Sequence, residues 1–289
     1  MATIATPKTS PVVALLRSCH PGPTATVTFL SLVLGLAAGL EPLTLALVVV
    51  GVLAGQLSIG FSNDLLDVDR DRRVGRTDKP LAQGLVSGQA VAVAAVASFV
   101  VGVALPFSLS LTAGLAHVVL VVSGWAYNVG LKRTRWSVVP FVVSFGLLPV
   151  VVITSSDPPA TPAAWVVAVG AVFGVAIHFT NVLPDLGDDA ATGVSGLPHR
   201  LGRRRAGLVA FAALAVSAGL TAAGQLVTGS GVAAVVVAVA GLVVVLGLAG
   251  TGAVIVARGG ATRTLFRLVL ASALVLVVQL ALSGTALVA

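Results

Sequence analysis

From residue 24 onward the chain is a succession of long apolar runs separated by short polar breaks. A helix rises 1.5 Å per residue, so a run of about 20 apolar residues is what crossing a bilayer requires. Nine such runs can be read, at about 24–40, 43–62, 87–106, 109–127, 137–154, 161–182, 206–227, 231–256 and 264–287. The pattern predicts an all-α integral membrane protein forming one transmembrane domain over 1–289. Lys8 and Arg17 precede the first run, but no small-residue cleavage site follows a short apolar core. That run is therefore expected to be a retained helix, not a signal peptide.

Composition agrees with the pattern. The 289 residues are 57% hydrophobic and 9% charged, whereas soluble domains carry roughly a quarter charged residues. The lone cysteine, Cys19, excludes an intramolecular disulfide framework and a Cys-rich zinc site. The net charge of +7 would suit nucleic acid in a soluble chain. Here its placement reads as topology. If every run crosses once, all seventeen Lys and Arg fall on one face, while loops such as "LPFSLS", "SSDPPATP" and "VTGSG" on the other carry none. The positive-inside rule makes the basic face cytoplasmic, with the N-terminus inside and the C-terminus outside. The expected location is the cell membrane, multi-pass, with no nucleic-acid partner.

Against this background the stretch "FSNDLLDVDRDRRVGRTDKPLAQG" stands out, with five of the ten carboxylates in 61–84. Asn63, Asp67 and Asp71 are spaced i, i+4, i+8, which places them along one helix face, and Asp64 lies beside them. The spacing returns at Asn181, Asp185 and Asp189, again at the cytoplasmic end of an even-numbered run and again before a basic loop with Gly and Pro. One such cluster could merely cap a helix or anchor it at headgroups. Two copies at equivalent places, 63–71 and 181–189, point to a duplicated site.

Carboxylates stacked on one face repel one another and are costly near hydrocarbon. A divalent cation removes the conflict. Mg²⁺ takes oxygen ligands, one or two carboxylates with water and phosphate oxygens completing its octahedron. Asn63, Asp64, Asp67, Asp71, Asn181, Asp185 and Asp189 are the candidate ligands, with Asp67, Asp71, Asp185 and Asp189 central to catalysis. Arg72, Arg76, Lys79 and Arg200 are candidates for neutralising a diphosphate. Metal, diphosphate and a membrane cavity together suit an amphiphile with its tail in lipid, such as a polyprenyl diphosphate.

These residues resemble the UbiA-type membrane prenyltransferases. "NDLLDVDRD" (63–71) matches that family's NDxxDxxxD at every fixed position, and "NVLPDLGDD" (181–189) matches the last two aspartates of its DxxxDxxxD, with Asn181 at the first. "YNVGLKRT" (127–134) is similar to a family stretch in which a Tyr and a following Lys or Arg contact diphosphate. The resemblance implies roles for Tyr127 and for Lys132 or Arg133, whose spacing from Tyr127 leaves open which of the two acts; an equal alternative is interfacial, with Tyr at the headgroup level and Lys and Arg setting topology. It implies nine helices around a central cavity, Mg²⁺ as cofactor, and prenyl transfer from a diphosphate to a lipophilic acceptor, commonly an aromatic ring. A terpene cyclase on the same scaffold, with no acceptor, and a transporter are the rival expectations. His178, one turn before Asn181, is expected to be a buried, hydrogen-bonded histidine, with cavity lining or acceptor binding as the alternative.

Overall fold

The structure is a computed structural model that describes residues 10–184, 186, 193–229, 231–259 and 262–289. Among these, ten α-helices follow one another: α1 (Pro11–Arg17), α2 (Pro21–Ala37), α3 (Pro42–Arg73), α4 (Gly88–Leu109), α5 (Leu111–Val129), α6 (Val139–Ile153), α7 (Ala164–Val182), α8 (Leu197–Thr228), α9 (Gly231–Ala257) and α10 (Thr262–Ser283). Short 3-10 turns occupy Leu131–Arg133 and Gly284–Leu287. The β pairing among the described residues is one isolated bridge, Pro162 to Val288.

Helix starts follow local chemistry. Proline opens α1, α2 and α3, a position where its missing N–H is not needed. The hydroxyls of Ser87 and Ser110 accept from the N–H groups of Ala90 (3.1 Å) and Ala113 (3.0 Å) and cap α4 and α5. Among the described residues six helices, α3, α4, α5, α7, α8 and α9, are long and apolar enough to cross a membrane. The runs predicted at 24–40, 137–154 and 264–287 fall on shorter apolar helices, α2, α6 and residues 267–283 of α10.

Two helices exceed their predicted runs because hydropathy cannot see charged turns. α3 continues past residue 62 to Arg73, its last turns tied by Arg70–Asp67 and Arg72–Asp69 pairs at i, i+3. α8 begins at Leu197 and bends at Gly202, whose φ of 75° lies in the left-handed region. Its first turns hold Arg200, Arg203, Arg204 and Arg205.

Packing is largely sequential. α2 lies on α3, α3 on α4 and α5, and α5 through α10 each on its neighbour, while α10 returns against α2 and closes a ring. Small residues let backbones meet where lipid gives no hydrophobic drive: a Cβ on Gly174 would strike the Phe141 carbonyl of α6, and one on Gly170 the Phe145 carbonyl. Gln225 of α8 donates to the Gln279 carbonyl (2.9 Å) and to Ser283 Oγ (3.0 Å) of α10. At the start of α7 the Ala163 N–H donates to the Leu287 carbonyl at 2.8 Å, so the C-terminal residues lie at that end of the bundle.

A partly open pocket lies between α2, α6, α7 and α10. Its lining, including Leu30, Phe145, Pro149, Val169, Phe173 and Leu276, is apolar throughout.

Candidate active site

The end of α3 carries three carboxylates, Asp64, Asp67 and Asp71, each only 2% exposed. Buried carboxylates are costly unless paired, and each meets cationic or polar partners. Lys132 Nζ donates to both oxygens of Asp67, at 2.6 and 2.7 Å, and Arg70 Nη2 adds a bond at 3.2 Å. The same Arg70 reaches Asp71 Oδ1 at 3.4 Å. Asp64 Oδ1 accepts from Lys79 Nζ at 2.6 Å, and His20 Nε2 lies 2.6 Å from the same ammonium and 3.1 Å from Oδ1. Asp64 Oδ2 is buried and has no hydrogen-bond partner.

Lys132 sits in the 3-10 turn after α5 and is buried. Burial pushes its ammonium below the usual lysine range, and the hydrogen bond to Asp67 opposes that shift. Its turn is fixed on both sides. Asn128, near the end of α5, accepts from Asn63 Nδ2 (3.1 Å) and donates to Ser62 Oγ and the Ile59 carbonyl, both at 2.9 Å. Beyond the turn, Ser137 Oγ accepts from the N–H of Leu197 (2.9 Å) and lies 3.0 Å from His178 Nε2. Residues 131–137 therefore join the α3 cluster to the end of α7 and the start of α8, the two elements that flank the second motif. His178 is buried and hydrogen-bonded. The Tyr127 ring stands edge-on to Phe141 and His178, with centroids 5.2 and 5.9 Å apart.

The other predicted cations lie elsewhere. Arg72 pairs at 3.8 Å with exposed Asp69. Arg76 grips Asp78 through Nε (2.8 Å) and Nη2 (2.7 Å); those hydrogen bonds hold the Asp78 carboxyl at about 2, against the opposing effect of partial burial. Arg200 Nε donates to the Ser195 carbonyl at 3.1 Å. Arg133 is exposed, so of the two cations left open by spacing it is Lys132 that meets a carboxylate. Asn181 is exposed at the end of α7. Asp185 and Asp189 lie outside the described residues.

Sequence reasoning passed over three members of the site. Arg70 had a signal, its i+3 spacing from Asp67. Asn128 had a weaker one, an amide on an apolar helix. His20 had none, because only the fold carries it to Asp64.

The model of the UbiA prenyltransferase family matches residues 24–251. The chain belongs to the UbiA prenyltransferase family. Naringenin 8-dimethylallyltransferase 2 of Sophora flavescens is 24% identical over 175 residues, 55% of this chain. That match spans 43% of the plant protein, less than half its length. Among solved structures, a UbiA homolog from Archaeoglobus fulgidus bound to GPP and Mg²⁺ superposes with a TM-score of 0.71 at 16% identity, over 94% of this chain and 99% of its own. A UbiA homolog from Aeropyrum pernix K1 gives 0.72 at 18% identity, over 89% and 96%. A digeranylgeranylglyceryl phosphate synthase structure gives 0.72 at 12% identity, over 96% and 99%. At such identities the likeness is one of fold, and the fold is that of UbiA proteins.

The donor chemistry here fits a magnesium ion. All candidate ligands are oxygens, and Asp64 keeps one buried oxygen unpartnered. No three His, Cys, Asp or Glu side chains among the described residues converge enough to hold a metal by themselves. Mg²⁺ does not require that, since it is commonly held by one or two carboxylates with substrate phosphates and water.

Proposed function

We propose that the protein transfers a prenyl group from a polyprenyl diphosphate to a lipophilic acceptor, with an aromatic ring as the favoured acceptor. The observation that supports this most is the set of three buried, cation-paired carboxylates at one end of a bundle whose pocket between α2, α6, α7 and α10 is apolar. An anionic head and a hydrocarbon tail match those two surroundings. Family membership supports the same reading. So do the GPP, DMAPP and Mg²⁺ bound to the Archaeoglobus homolog and the flavonoid in the plant relative's name.

Mg²⁺, when bound, would neutralise the diphosphate and stabilise it as a leaving group. Asp64, Asp67 and Asp71 with Asn63 would hold it on one side, and Asn181, Asp185 and Asp189 on the other. Lys79 and Lys132 each have ammonium protons beyond those given to carboxylates, and these would meet diphosphate oxygens as the allylic C–O bond breaks. Tyr127 stands beside them in this reading. The apolar walls keep water from the allylic cation while an electron-rich acceptor carbon attacks it. The displaced ring proton passes to a carboxylate or to the departing diphosphate.

Nine crossings, a cytoplasmic active site and N-terminus, and an outward C-terminus belong to the same proposal. The one-sided distribution of the seventeen cations supports them. So does the position of the C-terminal residues beside the start of α7, one helix length from the carboxylates.

Diphosphate release by the purified protein in detergent tests the reading, with Mg²⁺ or EDTA, donors from geranyl to long-chain, and phenolic acceptors present or absent. Release that needs both Mg²⁺ and acceptor is expected. Acceptor-free release of a cyclised product would make the protein a cyclase, and no release with any donor would sink both readings.

A further inference from the structure

Residues 10–20 precede the stretch that matches the family model, 24–251, yet they place a side chain against Asp64. His20 is the one non-glycine residue with positive φ among the described residues, at 55°. L-residues enter that left-handed region rarely, and here several contacts impose it. The Cys19 carbonyl lies directly on bare Gly60 of α3, one turn before Asp64, where any Cβ would strike it. Thr24 Oγ1 donates to the same carbonyl at 2.9 Å. Ala14 and Cys19 are buried with Phe61, Leu81 and Val86, which seats α1 on α3 and on the loop that carries Lys79.

Two lysines meet two aspartates on α3, and they do so differently. Lys132 Nζ chelates both oxygens of Asp67. Lys79 Nζ touches only Oδ1 of Asp64, at 2.6 Å, and sends a second donor to His20 Nε2, also 2.6 Å away. An ammonium has three protons and no lone pair, so Lys79 is the donor in both bonds. His20 Nε2 is then an acceptor with the ring proton on Nδ1, and the Lys79 ammonium bridges Nε2 and Asp64 Oδ1, which lie 3.1 Å apart. Asp64 Oδ2 is buried and unpartnered. Lys79 thus bonds one oxygen of Asp64 where Lys132 bonds both of Asp67.

We propose that His20 is a positioning residue of the donor site: by sharing the Lys79 ammonium it keeps the second oxygen of Asp64 free to ligate the metal ion that accompanies an incoming prenyl diphosphate. This inference rests on the function proposed above and makes the 10–20 segment part of the site. Gly60 and the Cys19 carbonyl are the mount that aims it.

The test compares His20→Ala with His20→Gln, whose amide oxygen can still accept from Lys79. For geranyl diphosphate, His20→Ala should raise KM about tenfold, the size expected for a hydrogen bond to a charged group, with kcat changed about twofold at most. His20→Gln should recover most of the loss. Calorimetric titration with inorganic pyrophosphate in the presence of Mg²⁺ gives a readout independent of turnover and should show the same order of affinity: wild type, His20→Gln, His20→Ala. Gly60→Ala, which pushes the Cys19 carbonyl off α3, should mimic His20→Ala and add little to it in the double variant. Wild-type KM and pyrophosphate affinity in His20→Ala would overturn the proposal, and so would equal impairment in both His20 variants. If the wild type turns over no donor, the prenyl-transfer reading falls, and the pyrophosphate titration still decides the role of His20.

Discussion

Lys132 and Arg133 are neighbours of like charge with opposite surroundings. The 3-10 turn points one at Asp67 and the other at solvent, a distinction that spacing from Tyr127 leaves open and that depends on the turn's pitch. Lys132→Ala leaves a buried carboxylate with Arg70 as its remaining partner. It is expected to lower kcat/KM for a prenyl diphosphate by about 10²-fold, as when a charge-stabilising donor is removed from a transition state. Arg133→Ala is expected to stay within about twofold, as exposed substitutions do. Steady-state diphosphate release on the two variants checks this, and a larger loss in Arg133→Ala would reverse the assignment. At this scale the aspartates of α3 were readable because charge is scarce in an apolar chain. Arg70 could have been read from its spacing. His20 could not, since its place depends on a left-handed φ and on a glycine forty residues away in sequence.

Among elements, the segment 131–137 and the helix pair α6–α7 set how the two halves of the site meet. Ser137 holds the α7–α8 end, while Gly170 and Gly174 let α7 lie on the backbone of α6. Gly174→Leu forces that interface apart and is expected to cost about 1–3 kcal/mol, the range for overpacking. It should displace Phe141 from its contacts with Tyr127 and His178. Thermal unfolding in detergent measures the first effect. Weaker donor binding in protein that is still folded measures the second. Most helices were legible as runs of apolar residues. The charged extensions of α3 and α8 were not, because their stability comes from side-chain pairs and proline placement, to which hydropathy is blind. The repeated spacing at Asn181, Asp185 and Asp189 was equally plain in the sequence, although the two aspartates lie outside the described residues.

At the scale of the molecule, the carboxylates of α3 are already neutralised by the chain's own cations. Removing Mg²⁺ is therefore expected to stop turnover without loosening the fold. The unfolding midpoint in EDTA should lie within about 3 °C of that in Mg²⁺, the shift that ~1 kcal/mol produces in a protein of this size. A much larger drop would mean that the cluster needs metal to stay buried. The ring itself was only partly readable: the number of apolar runs suggested a bundle, but not that α10 turns back onto α2.

That closure also bears on how the protein is made. Three walls of the pocket, α2, α6 and α7, leave the ribosome well before the fourth, α10. Over that interval a nascent chain already carries Asp64, Lys79 and Lys132 but has an open groove where α10 will supply the fourth wall. On the function proposed above, the place for a donor's tail is expected to be complete only after α10 docks against α2.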